Sequence, residues 1–356
     1  MKKESHFKKV SHCFAFAFQA FAICAVVFFA LNPVSCKMTE EGIRFLHGDF
    51  SAPTLDSFSQ TDEKSISVDF SKSVKVRSLI ISEKKDEIDF FEKEAFAFPD
   101  AQVNPETGKT VLISLKEKLE VGKEYELYGE VLDENGNSLT FCIPIVGFND
   151  RVPNLVVSAV HPMYASPSGA KNEAKCEFVE LYALTSGNLA GVKIESATYG
   201  EEKSFTLPAL EVREGEKIVV HLRTKGENCI SELGTNLSLS SGWYCYSTHR
   251  DIWSSNEKKC LSDKEDVILV TNSFTKKIID GLPFKLNKND EWAKESTKIV
   301  AQKLVDEGIW EDGECAISQG LTATKILQRN VSTVKNSSSR IIQSAKDWTV
   351  EKVNAN

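Results

Sequence analysis

Glu177 and Glu180 are the carboxylates whose proximity suggests paired acid–base chemistry. Their separation is odd, and successive side chains of a strand point to opposite faces, so the two cannot act on one substrate. His161 precedes Pro162 at a strand end and has no acid or nucleophile near it in sequence, which reads as a hydrogen-bonded structural histidine. Asp263, Glu265 and Asp266 form an acidic turn that could hold calcium, but an exposed turn explains it more simply. The chain contains no G-x-S-x-G elbow, no phosphate-binding glycine loop and no H-E-x-x-H pair. The residues thus give no catalytic set, no metal site and no cofactor, and the chain is expected not to be an enzyme.

Cysteines and the N-terminus set the compartment. Four lysines against one glutamate open the chain, and residues 14–31 are apolar except for Gln19, the two regions of a secretory signal. The competing reading is an uncleaved anchor, since the apolar run is just long enough to span a bilayer. Asn32-Pro33-Val34-Ser35-Cys36 follows, so residues 1–35 read as a signal peptide and Cys36 as a lipid-anchor site in a relaxed lipobox, with Pro33 where leucine is usual. Several acyl chains on Cys36 would hold the protein stably in a membrane; ordinary cleavage and secretion is the alternative. Of nine cysteines, Cys13 and Cys24 fall in the signal. The remaining six beyond Cys36 allow three disulfides in an exported chain, with buried thiols the alternative. None has zinc-ligand spacing, and His249 near Cys245 and Cys260 reads as accidental.

Charge narrows the partners. The chain carries −8 formally and its first 35 residues +3, leaving the remainder near −11. Lysines alternate with acids, as in Glu83-Lys84-Lys85-Asp86-Glu87. A nucleic-acid partner is disfavoured, because phosphate binding requires a basic face; nothing suggests a small-molecule ligand.

The elements that would position any site are strands. Alternation in Ile66-Ser67-Val68-Asp69-Phe70, Val74-Lys75-Val76 and Thr110-Val111-Leu112-Ile113 is that of half-buried β-structure. Asn135-Gly136 is expected to supply the positive-φ residues of a hairpin between Tyr125-Glu126-Leu127-Tyr128 and Leu139-Thr140-Phe141. Residues 36–48 read as a tether, 49–150 as one β-sandwich and 152–356 as a second, joined at Asp150-Arg151-Val152-Pro153.

Gly122-Lys123-Glu124-Tyr125 with Asp133-Glu134-Asn135-Gly136-Asn137 resembles the last strands of bacterial Ig-like domains. The second part resembles the bacterial lamin-tail domain, an immunoglobulin-like fold, through Leu155-Val156-Val157-Ser158, Phe178-Val179-Glu180-Leu181-Tyr182, Phe205-Thr206-Leu207-Pro208, the segment 261–271 and a closing pair at 322–329 and 345–350. The resemblance implies an all-β chain of two tandem Ig-like antiparallel sandwiches behind a signal peptide. It further implies a non-enzymatic module of the bacterial cell envelope, at the outer membrane or cell surface, for binding, adhesion or scaffolding. The alternatives are an accessory protein of an extracellular hydrolase or nuclease system, and an extracellular DNA-binding protein.

Two insertions interrupt the second sandwich. Residues 288–315 hold a helix expected over 290–307, capped by Asn289 or Asp290 and ended by Gly308, with Trp292, Ala293, Ile299, Val300 and Leu304 on its apolar side. Residues 225–259 carry Trp243, Tyr244, Tyr246 and Trp253 in polar surroundings. Loop aromatics of this kind serve recognition of a protein or cell-surface ligand; a loop folded back on its own aromatics is the alternative.

Overall fold

Alternation and continuous apolar runs divide the strands into two kinds. The computed structural model describes residues 49–83, 101–166, 175–224, 228–332 and 342–353, with the backbone of 36–39 and 42–45. The expected signal peptide lies outside the described residues. Among the described residues no helix is long and apolar enough to cross a membrane. The architecture is all-β and multi-sheet, with one short helical insertion.

The segment expected as a tether contains a hairpin of β1 (Cys36–Thr39) and β2 (Gly42–Phe45). Next come β3 (Leu55–Gln60), β4 (Ser65–Glu83), β5 (Ala101–Asn104), β6 (Thr107–Leu115), β7 (Glu124–Asp133) and β8 (Ser138–Val146). They form a sheet in the order β5-β6-β4-β7-β8, with β3 beside β4. The two runs read as separate strands at 66–70 and 74–81 are one strand, β4. Its first part pairs with β3 and β6 and its second with β7. Period-2 burial turns Ile66, Val68, Phe70, Val74 and Val76 inward onto Val111, Ile113, Leu127 and Ile143. In the turn between β7 and β8, only Gly136 is left-handed, at φ 82°. The Asp133 carboxylate completes it by accepting from the Asn135 and Asn137 amides at 3.0 and 2.8 Å, which is why Asn135 needs no positive φ.

The second half opens with β9 (Leu155–His161), β10 (Phe178–Ala183), β11 (Gly187–Asn188), β12 (Val192–Ser196), β13 (Phe205–Thr206), β14 (Glu211–Val212) and β15 (Lys217–His221). It continues through β16 (Arg250–Trp253), β17 (Asp266–Asn272), β18 (Ile278–Lys285), α1 (Glu295–Asp306), β19 (Ala316–Ile317), β20 (Lys325–Arg329) and β21 (Trp348–Lys352). One sheet runs β16-β15-β10-β9-β20-β21 and another β13-β12-β17-β18-β19. A single core joins them: Val157, Leu181, Val220 and Ile252 from the first meet Ile194, Val270, Leu282 and Phe284 from the second.

The helix starts later than its sequence pattern predicts, at Glu295, behind Lys294, with no side-chain cap. Asp290 instead accepts from the Asn287 amide at 3.0 Å. Gly308 ends the helix as expected, at φ 65°. Leu304 is buried and Val300 packs on the core, whereas Ile299 is exposed and Thr297 takes a buried position. The helix therefore lies on the flank of the β17–β18 sheet.

The two halves touch. Buried Asn149 donates to the carbonyls of Asn188 and Ala190 at 2.6 and 2.9 Å, and the rings of Phe148 and Phe274 lie 4.9 Å apart. A cavity of about 420 Å³ lies at this junction between Ile145, Pro144, Leu207 and Phe274.

Candidate functional site beneath a covering segment

Every residue of β9 and β10 is buried, so both faces of the six-stranded sheet are covered at its centre. One face meets the shared core. The other carries Ala159, His161, Phe178, Glu180, Val219 and His221, and residues 228–249 lie across it. This segment leads into β16, which pairs parallel to β15 and sets Asp251 and Trp253 on the same outer face, because Ile252 between them points into the core. The insertion is thus an extra edge strand and a lid of aromatic side chains.

Of the four aromatics singled out for recognition, Tyr244 and Trp253 are buried, at 6% and 9% exposure, while Trp243 and Tyr246 are half-buried. Tyr244 packs between Phe178 and His161, at ring separations of 5.3 and 4.8 Å, and its hydroxyl donates to the Ala323 carbonyl. Its φ of 66° is left-handed, which a bulky residue adopts only where surrounding packing dictates it. Trp253 stacks on His221 at 3.7 Å and 7°, and its indole N–H donates to Ser240 at 2.9 Å. The Lys175 ammonium sits 4.5 Å from the centre of the Trp243 ring. Cys36, the expected anchor, is the first residue of β1.

Polar groups enclosed under the lid are extensive. The His161 ring meets the Cys176 carbonyl at 3.1 Å through Nδ1, and desolvation pulls its pKa down to about 4. His161 is therefore the structural histidine expected, held neutral. Buried Glu232 accepts from the amides of Leu239, Ser240 and Asp251 at 3.0, 3.2 and 2.9 Å, stitching lid to edge strand. Arg250 donates to Glu216 at 2.6 Å and to the carbonyls of Glu232 and Gly234 at 2.6 and 2.5 Å. Glu180 accepts from Ser158 at 2.7 Å and pairs with Lys217 at 3.0 Å. Glu177 lies apart from it, fully buried, with burial raising its pKa and the Arg223 guanidinium 3.8 Å away. The two glutamates do not form a pair, as their spacing required.

Three groups that sequence spacing kept apart come together here. His221 Nε2 lies 2.6 Å from Asp251 Oδ1 and 4.0 Å from Cys245 Sγ. Both neighbours approach the same ring nitrogen, so the imidazole cannot relay a proton between acid and thiol as a catalytic triad does. Burial raises the Cys245 pKa, with the Asp251 charge adding to it, the reverse of what a thiolate nucleophile needs. Of the six described cysteines, Cys176, Cys260 and Cys315 are buried and Cys142 is exposed. Asp266, expected in an exposed acidic turn, is instead buried and fastens Ser196, Ser262 and Thr198 at 2.6, 2.9 and 3.1 Å.

These features define an all-β chain whose second half encloses a polar layer between sheet and lid. Residues 153–350, more than half of the chain, match the TP_1001_2nd family, described as a protein second domain, and the chain belongs to that family. It is similar to an uncharacterized protein of Treponema pallidum (strain Nichols), 29% identical over 202 residues. That alignment takes in 54% of this chain and 49% of the relative, so the chain spans about half the length of the curated relative it matches. Among solved structures, a DUF4876 family protein from Bacteroides thetaiotaomicron aligns at 12% identity over 71% of this chain and 82% of that one, with a TM-score of 0.28. The N-terminal part of the bacterial S-layer protein SbsC aligns at 17% identity over 37% and 41%, with a TM-score of 0.23. Likeness this distant assigns neither a fold family nor a role.

Proposed function

We propose that this chain is an exported, non-enzymatic binding or scaffolding protein of the bacterial cell envelope, lipid-anchored at Cys36, whose covering segment recognises a protein on its outer side. The observation that carries this reading is the exposure of Ile230, Leu233 and Leu239, at 45%, 53% and 43%, within ten residues of the lid. Apolar side chains gathered in this way on a surface segment favour a protein partner. Half-buried Trp243 and Tyr246 follow in the same segment and pack on the buried cluster of Phe178, Val219 and Tyr244, which agrees with outer aliphatics carried on an inner aromatic layer. The lamin-tail and Ig-like resemblances of residues 152–356 and 49–150 agree with a scaffold whose specificity lies in an inserted segment. The separate buried clusters of the two halves support a boundary at Arg151, and each half expressed alone should unfold cooperatively.

Replacing Ile230, Leu233 and Leu239 together by Ser should abolish capture of envelope proteins by the full chain and leave its melting temperature unchanged. Equal capture by the variant would refute the surface. Cys36→Ala should move the protein from the detergent phase to the aqueous phase, and failure of labelled palmitate to enter the wild-type protein would refute the anchor.

A further inference from the structure

We propose that His221, Cys245 and Asp251 form a site for a divalent metal ion of the zinc class, and that the ion pins the covering segment to the sheet. The three come from different places: His221 from the end of β15, Asp251 from its parallel neighbour β16, and Cys245 from the lid. Imidazole nitrogen, thiol sulfur and carboxylate oxygen lie within 4.8 Å of one another. Zinc bonds of about 2.0–2.3 Å set tetrahedral ligand atoms roughly 3.3–3.8 Å apart, so small side-chain movements close the set. A mixed nitrogen, sulfur and oxygen donor set suits zinc better than the hard cations, which prefer oxygen alone.

One observation independent of this geometry points to a cation. Asp251 is 1% exposed and its Oδ2 has no hydrogen-bond partner, leaving half of a buried carboxylate unsatisfied. The ring of His221, wholly buried, is held flat against Trp253, so stacking and not a hydrogen bond at Nδ1 sets the direction of Nε2. Charge also closes: the Asp251 carboxylate and a Cys245 thiolate balance a dication, so the enclosed site becomes neutral on binding. Binding is a ligand exchange without oxidant. Cys245 releases its proton to solvent, and the imidazole proton moves from Nε2 to Nδ1.

The competing fate of the sulfur is oxidation, since Cys176 and Cys229 gather with Cys245 around Trp253. The test uses the full chain, reduced and metal-free, titrated with Co²⁺ as the probe. One equivalent should produce thiolate-to-cobalt charge-transfer absorption that Zn²⁺ bleaches, and Zn²⁺ should raise the melting temperature. Cys245→Ser should lose the band. Asp251→Asn should weaken binding by at least the ~100-fold that losing even an outer-shell partner can cost. Cys142→Ser, on exposed β8, should bind as wild type. Circular dichroism establishes that each variant is folded, and the wild-type melting shift stands whether or not the variants fold. An unaltered band in Cys245→Ser, no band and no melting shift in the reduced wild type, or a Cys245 disulfide in the protein as isolated would overturn the site.

Discussion

The outer faces of the two halves differ in what they hide. In β8 the burial alternates strictly beyond Phe141, with Cys142, Pro144 and Val146 exposed and Phe141, Ile143 and Ile145 inside. In β9 and β10 nothing is exposed, and the outer positions hold His161, Phe178 and Glu180 under a second layer. A strand open to water on one side needs only apolar residues at alternate positions. A strand covered on both sides can enclose titratable groups in a low-dielectric layer, and among the described residues it is there that histidine, carboxylate and thiol are brought together. The lid, more than the sheet itself, makes chemistry available to the second half.

Removing a ring from the lid should break this contrast most sharply. Tyr244→Ala should cost about 3 kcal/mol or more in urea denaturation, as truncation of buried aromatics does. The matching outer-face change in the first half, Thr140→Ala, should stay within about 0.5 kcal/mol. Comparable losses at both sites would mean that the two faces are alike.

A smaller effect, graded by pH, should come from His161. Its imidazole stays neutral in the folded protein down to about pH 4, whereas the unfolded chain takes up that proton near 6.5. The unfolded state thus binds more protons between these values, so stability rises with pH across the window and is lost as pH falls through it. The full difference corresponds to roughly 3 kcal/mol. Burial raises the pKa of Glu177 and Asp266, which acts in the opposite direction, so the wild-type slope alone is a composite. His161→Gln isolates the contribution of this imidazole: the variant's stability should fall less steeply between pH 6.5 and 4, and parallel curves would contradict the assignment. The Ser variants of Ile230, Leu233 and Leu239 should change stability least of all, being exposed.

Much of this was legible in the residues. Alternation located β4, β6, β7 and β8, and Gly308 located the end of α1, because period and terminator are local signals. The lid left a trace too: Leu155-Val156-Val157 and Ala159-Val160 form a nearly continuous apolar run, the signature of a strand buried on both faces. The assembly of His221, Cys245 and Asp251 had no such trace. Their spacings of 24 and six residues match no ligand motif, and only the parallel pairing of β15 with β16 inside the insertion brings them together. The aromatics of the insertion were visible by type, but a ring that supports a lid and a ring that meets a partner look the same in sequence. Asp266 was misread for a similar reason, since its acidic neighbours hid a residue whose partners, Ser196 and Thr198, lie about 70 positions away.

The most direct measurement is native-state hydrogen exchange on the lid. The hydrogen-bonded amides within residues 241–253 should exchange only with unfolding of β9 and β10, while those of the exposed turn at 134–137 exchange through local opening. Fast exchange across 241–253 while β9 and β10 remain protected would show that the segment is not packed on the sheet, and the account of a covered face would fail.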